Sequence, residues 1–149
     1  MFKLKSYVFD NQDCFNYCKP PIKVYEGDAG YDCFSYSPDI TLNFGQRFKF
    51  ELGFELELPK GWVALIQEKS GMAVNYGIMT MGNVIDSNYR GQCHATLINL
   101  GQDPVAIVRG QKVAQMLVVP CHTGRDYRLI SKLTPSNRGD GGFGSTGLK

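Results

Sequence analysis

An excess of charge of either sign is missing from this sequence. Sixteen Lys and Arg stand against 14 Asp and Glu in 149 residues, a net charge of +2. With 20% charged and 43% hydrophobic residues, the composition excludes both a disordered chain and a strongly cationic nucleic-acid binder. Long apolar runs are missing too: none approaches the roughly 18 residues of a membrane span. The opening MFKLKSYVFDNQ is broken by charges where a signal peptide has its apolar stretch. Cysteines are few and odd in number, and Cys14, Cys18, Cys33, Cys93 and Cys121 form no regular framework. Cys14 and Cys18 have a spacing that could begin a zinc site, but no second Cys/His pair follows at ligand spacing. Free thiols in a reducing compartment, and so a cytoplasmic protein, are expected.

Histidine is limited to His94 and His122, and no G-x-S-x-G elbow occurs, so a Ser-His-Asp hydrolase has little support. The zinc-deaminase signature fails at both halves. His94-Ala95-Thr96 lacks the Glu, and Pro120-Cys121-His122-Thr123-Gly124 lacks the second Cys. Gly139 to Gly144 matches G-x-G-x-x-G in form, but no helix is expected between it and Lys149, as a dinucleotide fold requires. A P-loop fails for the same reason, and for want of a Lys before Ser145.

What is present is alternation. Phe48, Phe50, Leu52, Phe54, Leu56 and Leu58 alternate with Lys49, Glu51, Gly53, Glu55 and Glu57, which places every apolar group on one face of a strand. Leu58-Pro59-Lys60-Gly61 reads as a type I turn with proline at its second position, returning Trp62 to Ile66 as the other half of a hairpin. Further strands are expected at 2–8, 31–36, 78–85, 90–99, 104–108, 112–119 and 127–133. The one helical candidate is Ser70 to Tyr76, with Ser70 placed as N-cap and Gly77 as αL C-cap. Many short strands between turns predict one all-β domain, a sandwich or barrel. Its length is within the usual range for one domain and large enough to bury a core without disulfides.

Residues 138–147, RGDGGFGSTG, hold five glycines and cannot carry a core, so alone they should be mobile. They also contain an arginine, an aromatic ring and two adjacent hydroxyls, groups suited to holding a phosphate and stacking on a base. Three other segments have chemical character. Asp28-Ala29-Gly30-Tyr31-Asp32 sets two acids beside a glycine at a strand start, as a hydrated cation needs, though an Asp-rich turn is usually only a turn. Lys69-Ser70-Gly71 offers a cation, a hydroxyl and an unobstructed amide, although capping alone explains Ser70 equally well. Val84 to Gly91 puts Asp86 at the end of an apolar strand with Tyr89 three residues on; a polar hairpin tip with a packed tyrosine is the plain alternative.

Together, and in this order, Asp28–Asp32, Lys69–Ala73, Val84–Gly91, Gly110–Gln115 and Arg138–Gly147 resemble the five motifs of the trimeric dUTPase (deoxyuridine triphosphate nucleotidohydrolase) family. The resemblance implies a distorted β-jelly roll or β-sandwich of the β-clip type, with one short helix. It implies a body at residues 1–137 and an arm at 138–149 that closes over a neighbouring subunit of a homotrimer. The implied reaction is hydrolysis of dUTP to dUMP and pyrophosphate, with Mg²⁺ carried on the triphosphate. By resemblance, Asp86 orients and deprotonates the water that attacks the α-phosphorus and receives the sugar 3′-hydroxyl; an ionised carboxylate only accepts hydrogen bonds. Tyr89 packs under the deoxyribose, Asp32 reaches Mg²⁺ through water, and Lys69, Ser70, Gly71 and Gln115 grip the phosphates. Asn83, Ile85 and His94 present backbone groups to uracil. In the arm, Phe143 stacks on the base beside Gly144, while Arg138, Ser145 and Thr146 face the γ-phosphate.

Three positions depart from the family pattern. Lys69 replaces a usual arginine, giving a point charge for a bidentate fork. Asn83 replaces a frequent glycine, and Asn88 a common aspartate. A dCTP deaminase, similar in fold, would need a catalytic Glu on the following strand, where this sequence has Thr96 and no acid from Gln92 to Leu100. A nucleotide-gated module that binds a regulatory protein is the alternative of a different class. Neither nucleic acid nor membrane is an expected partner.

Overall fold

The protein was analysed as a computed structural model, which describes residues 1–6, 19–124 and 127–142. Cys14 and Cys18 lie outside them. The described strands are β1 (Lys3–Ser6), β2 (Tyr31–Phe34), β3 (Ile40–Leu42), β4 (Arg47–Glu57), β5 (Trp62–Gln67), β6 (Ile78–Met81), β7 (Val84–Ile85), β8 (Gln92–Asn99), β9 (Val105–Ile107) and β10 (Lys112–Pro120). One short helix, α1 (Ser70–Tyr76), follows β5. One antiparallel sheet runs β1-β4-β8-β6, a second runs β2-β10-β5-β7, and β3 pairs with β9. Phe50, Leu52, Phe54 and Leu56 from β4 join Ala64 and Ile66 from β5, Cys93, Ala95 and Leu97 from β8, and Val113 and Met116 from β10 in one core. The fold is all-β, as the many short strands predicted, and jelly-roll-like, as the resemblance implied.

The alternation was right about faces and wrong about a partner. β4 pairs with β1 and β8, whereas β5 pairs with β10 and β7, so the expected hairpin does not form. The Pro59–Gly61 corner carries the chain from one sheet to the other, and the two strands meet through their side chains in the core. The turn itself is displaced by one residue. Trp62 N–H donates to Pro59 O at 3.2 Å, and Gly61 at its third position has φ 84°, which a type I turn excludes. Residues 78–85 likewise divide into two strands. β6 stays with β8, the chain bends at Gly82, and β7 crosses to β5. Phe48 is the member of the apolar series that stays at the surface, 36% exposed.

Two further expectations need correction. Ser70 is not the N-cap: Lys69 holds that position with extended backbone (φ −84°, ψ 134°), and no side chain caps the helix. The chain turns helical one residue earlier than expected, so Ser70 already belongs to the first turn. Gly77 does close α1 in the left-handed region, at φ 67°. Residues 127–133 form no strand, and Tyr127, Leu129 and Leu133 are exposed. Their apolar spacing meets no sheet edge among the described residues, and periodicity without a ladder partner makes no strand.

Asn99, fully buried at the end of β8, went unnoticed in the sequence. Its Nδ2 donates to Leu42 O and Asp103 O, and its Oδ1 accepts from Gly101 N, all at 2.8 Å. It ties the β3 end, the β8 end and the following turn into one knot. Asn99→Leu keeps the volume but strands three backbone groups. At about 1–3 kcal/mol for each buried unpaired group, stability should fall by about 3 kcal/mol or more. For a chain of this size, that should lower the melting temperature in a calorimetric scan by on the order of 10 °C.

Candidate active site

The first constellation is built on β2 and β10. Opposite β2, the register runs Lys112↔Phe34, then Ala114↔Cys33 and Gln115↔Asp32, with an extra residue between Lys112 and Ala114. That bulge buries Val113 and Ala114 in succession and turns Lys112 and Gln115 onto the face that carries Asp32. A regular strand would send residues three apart to opposite faces. Lys112 Nζ pairs with Asp32 Oδ2 at 2.8 Å, and Lys69 Nζ pairs with Asp32 Oδ1. Partial burial pushes the Asp32 carboxyl up, but the hydrogen bonds from Lys112 and Lys69 outweigh it and hold the group below its ordinary value. Gln115 Nε2 donates to Glu68 O at 2.9 Å, which anchors the segment leading to Lys69. Gly30 makes room for this: a β-carbon there would lie 2.5 Å from Gln115 Oε1. These residues line a groove of about 510 Å³.

Asp28 lines the same groove, but its carboxylate is engaged with the backbone. Its Oδ2 accepts from Tyr25 N at 2.9 Å and Val24 N at 3.2 Å, which organises the loop. The Asp28–Asp32 segment therefore presents one carboxylate to the groove's cations. Ser70 and Gly71 are exposed at the start of α1, next to Lys69.

The second constellation is the hairpin after β7. Ile85 is buried and paired with Ala64, and Asp86 follows it at the exposed tip. Tyr89 N donates to Asp86 O at 3.1 Å and closes the turn, while Arg90 Nη1 donates to Ser87 O and Tyr89 O at 2.8 Å each. The Tyr89 ring lies against Gly91, where a β-carbon would stand 2.4 Å from its hydroxyl oxygen, and that hydroxyl donates to Gln92 O at 3.0 Å. Asp86, Tyr89, Ile85 and His94 line a narrow cleft of about 170 Å³. Asp86 also lines a wider cleft of about 800 Å³ on its other side, with Trp62, Ser87 and His122. Asn83 stands at the crossover between sheets, and its carbonyl accepts from Ile66 N at 2.8 Å. Burial, with Lys49 adding to it, holds the His94 imidazole below its ordinary value against lift from the Gln92 backbone and Glu51.

The chain thus assembles two separate constellations. Asp32, Lys69 and Gln115 share the groove; Asp86, Tyr89, Ile85 and His94 share the narrow cleft; the two share no lining residue. Arg138 lines neither: its Nε donates to Gly141 O at 2.8 Å within its own turn. Phe143, Gly144, Ser145 and Thr146 lie outside the described residues. Lys112 was inside a recognised motif, yet its contact with Asp32 was missed because it depends on the bulge. Its one trace in the sequence is the pair of apolar residues that interrupts the alternation between Lys112 and Gln115.

A jelly-roll-like β body with a charged groove and an acid-tipped hairpin beside a narrow cleft defines a β-fold protein with recesses of small-ligand size. The dUTPase family profile matches residues 16–147, and the chain belongs to the dUTPase family. It is 39% identical to the deoxyuridine 5′-triphosphate nucleotidohydrolase of Clostridium novyi (strain NT) over 130 residues, covering 86% of this chain and 90% of that protein. It is equally 39% identical to the protein of the same name from Anaeromyxobacter sp. (strain Fw109-5) over 134 residues, covering 86% and 90%. The fold is similar to that of the Staphylococcus bacteriophage 80alpha dUTPase solved with dUPNHPP, at TM-score 0.84 and 21% identity, covering 99% of both chains.

Proposed function

We propose that the protein hydrolyses dUTP to dUMP and pyrophosphate by attack of water on the α-phosphorus, which limits uracil entry into DNA and supplies dUMP. Beyond family membership, the observation that carries this reading is the position of Asp86, fixed by a closed turn between a narrow cleft and a wider one. There Asp86 accepts the proton of the attacking water and the sugar 3′-hydroxyl bond. Tyr89 forms the floor under deoxyribose, and backbone groups of Asn83, Ile85 and His94 read uracil. Lys69, Ser70, Gly71 and Gln115 hold the phosphates. Phosphoryl transfer needs chiefly positioning and charge neutralisation, which this set supplies.

Among the described residues, no three of His, Cys, Asp and Glu gather into a metal cage. A single groove carboxylate between two lysines fits Mg²⁺ that arrives on the triphosphate and meets Asp32 through water, since this ion keeps several waters and takes few protein carboxylates. Bound there, Mg²⁺ would neutralise phosphate charge. The separation of the two constellations supports a homotrimer in which sites are completed across subunits. In that assembly residues 1–137 form the body, and an arm from 138 to 149 brings Arg138, Phe143, Gly144, Ser145 and Thr146 to a neighbour's nucleotide. Among the described residues no helix is long and apolar enough to cross a membrane, in keeping with the cytoplasmic location we propose. Deamination of dCTP is not favoured, because β8 carries Thr96 where that chemistry needs an acid.

Pyrophosphate release measured across dUTP, UTP, dTTP and dCTP tests the reading: dUTP should dominate, and equal turnover of all four would contradict it. Sugar selection can be tested separately. With Tyr89→Ala the floor is lost, so dUTP turnover should weaken and the dUTP/UTP preference in kcat/KM should narrow by roughly 10-fold or more. An unchanged ratio would place discrimination elsewhere.

A further inference from the structure

Lys112 has no part in the chemistry proposed so far, although it is bonded to a residue that does. Each oxygen of Asp32 has its own ammonium, Lys69 on Oδ1 and Lys112 on Oδ2. The two lysines are mounted differently. Lys112 stands on β10 in direct register with β2, held by the bulge, with its ammonium 6.0 Å from the Phe34 ring centre. Lys69 stands outside any ladder, at the junction between β5 and α1. The two lysines of the groove are balanced by Asp28 and Asp32. A triphosphate therefore meets a groove whose positive charge is already paired.

For Lys69 to grip a phosphate, its bond to Asp32 must open. The Asp32 side chain, only 13% exposed, would then depend on its second partner to stay aimed into the groove. We propose an ion-pair exchange: Lys69 moves from Asp32 Oδ1 to a substrate phosphate, while Lys112 stays on Oδ2 as a positioning residue. The exchange gives the phosphate a cation and frees one carboxylate oxygen for the water shell of the ion the substrate carries. It rests on the function proposed above and deepens it. Lys69 is the moving partner and Lys112 the fixed one.

The test is calorimetric binding of a slowly hydrolysed imido analogue of dUTP, in Mg²⁺ and in EDTA. It compares the wild type with Lys112→Met, Lys112→Arg and Lys69→Met. Lys112→Met should lose at least about fivefold of the affinity gained from Mg²⁺ while staying within about twofold of wild type in EDTA. Lys112→Arg should restore the gain, because charge and reach return. Lys69→Met should weaken binding in both conditions, as loss of a direct phosphate contact does. The Lys112 side chain is 42% exposed, so its replacement should leave the melting temperature near wild type; Lys112→Gln serves as a milder change if Lys112→Met does not fold. A full Mg²⁺ gain in Lys112→Met, or equal losses with and without Mg²⁺, would overturn the exchange while leaving the hydrolase reading intact. Failure of the wild type to bind the analogue in either condition would overturn both.

Discussion

Asp86→Asn should lower dUTP turnover by at least about 10²–10⁴-fold, the usual contribution of a general base, while leaving binding of the imido analogue close to wild type. The asymmetry follows from what an amide retains. Asparagine has the same shape and still accepts a bond from the sugar hydroxyl through its Oδ1, but it cannot take a proton from water at neutral pH. The turn that fixes position 86 is made by the backbone, Tyr89 N to Asp86 O at 3.1 Å, so the substitution leaves the hairpin intact. A structural role for Asp86 would instead lower the melting temperature and weaken binding along with turnover. Near-normal turnover in this variant would remove Asp86 as the base. Single-turnover measurement at saturating dUTP is the appropriate readout, because it isolates the chemical step from product release.

Deleting residues 138–149 should produce the opposite separation, an intact body with little catalysis. The described part, 138–142, contributes no strand and no buried side chain. Melting and the number of subunits in the assembly should therefore remain those of the full chain. The deletion removes Arg138, Phe143, Ser145 and Thr146 together. If these close over a neighbour's nucleotide, their loss admits water and frees the phosphates, and turnover should fall by at least about 10²-fold. Phe143→Trp offers a milder readout, since stacking on uracil should quench its fluorescence when the imido analogue binds, with the same titration of the wild type recording the contribution of Trp62. Truncated protein that works at the full rate would make the segment an ordinary terminus.

The sequence reading succeeded where a signal was local. Alternation in 48–58 assigned the faces of β4, and the α1 boundaries and its Gly77 cap followed from spacing and residue type. It failed where the answer depended on which strand lies alongside. The Pro59–Gly61 corner looks the same whether β5 returns beside β4 or crosses to the other sheet, and only long-range pairing decides. Residues 78–85 failed for the same reason, since one apolar run serves two sheets. At the candidate site, Asp32, Lys69 and Gln115 were legible one by one, yet their meeting depends on β10 lying between β2 and β5, a pairing that composition does not encode. Lys112 and Asn99 were missed because their importance lies in contacts 80 and 57 residues away in sequence, at Asp32 and Leu42.

Hydrolysis of dUTP in ¹⁸O-labelled water, followed by mass analysis of both products, tests the central claim most directly. Water attacking the α-phosphorus places the label in dUMP and leaves pyrophosphate unlabelled, and Asp86→Asn should suppress the labelling rate without moving its position. Label in pyrophosphate, or release of inorganic phosphate in place of pyrophosphate, would contradict the account.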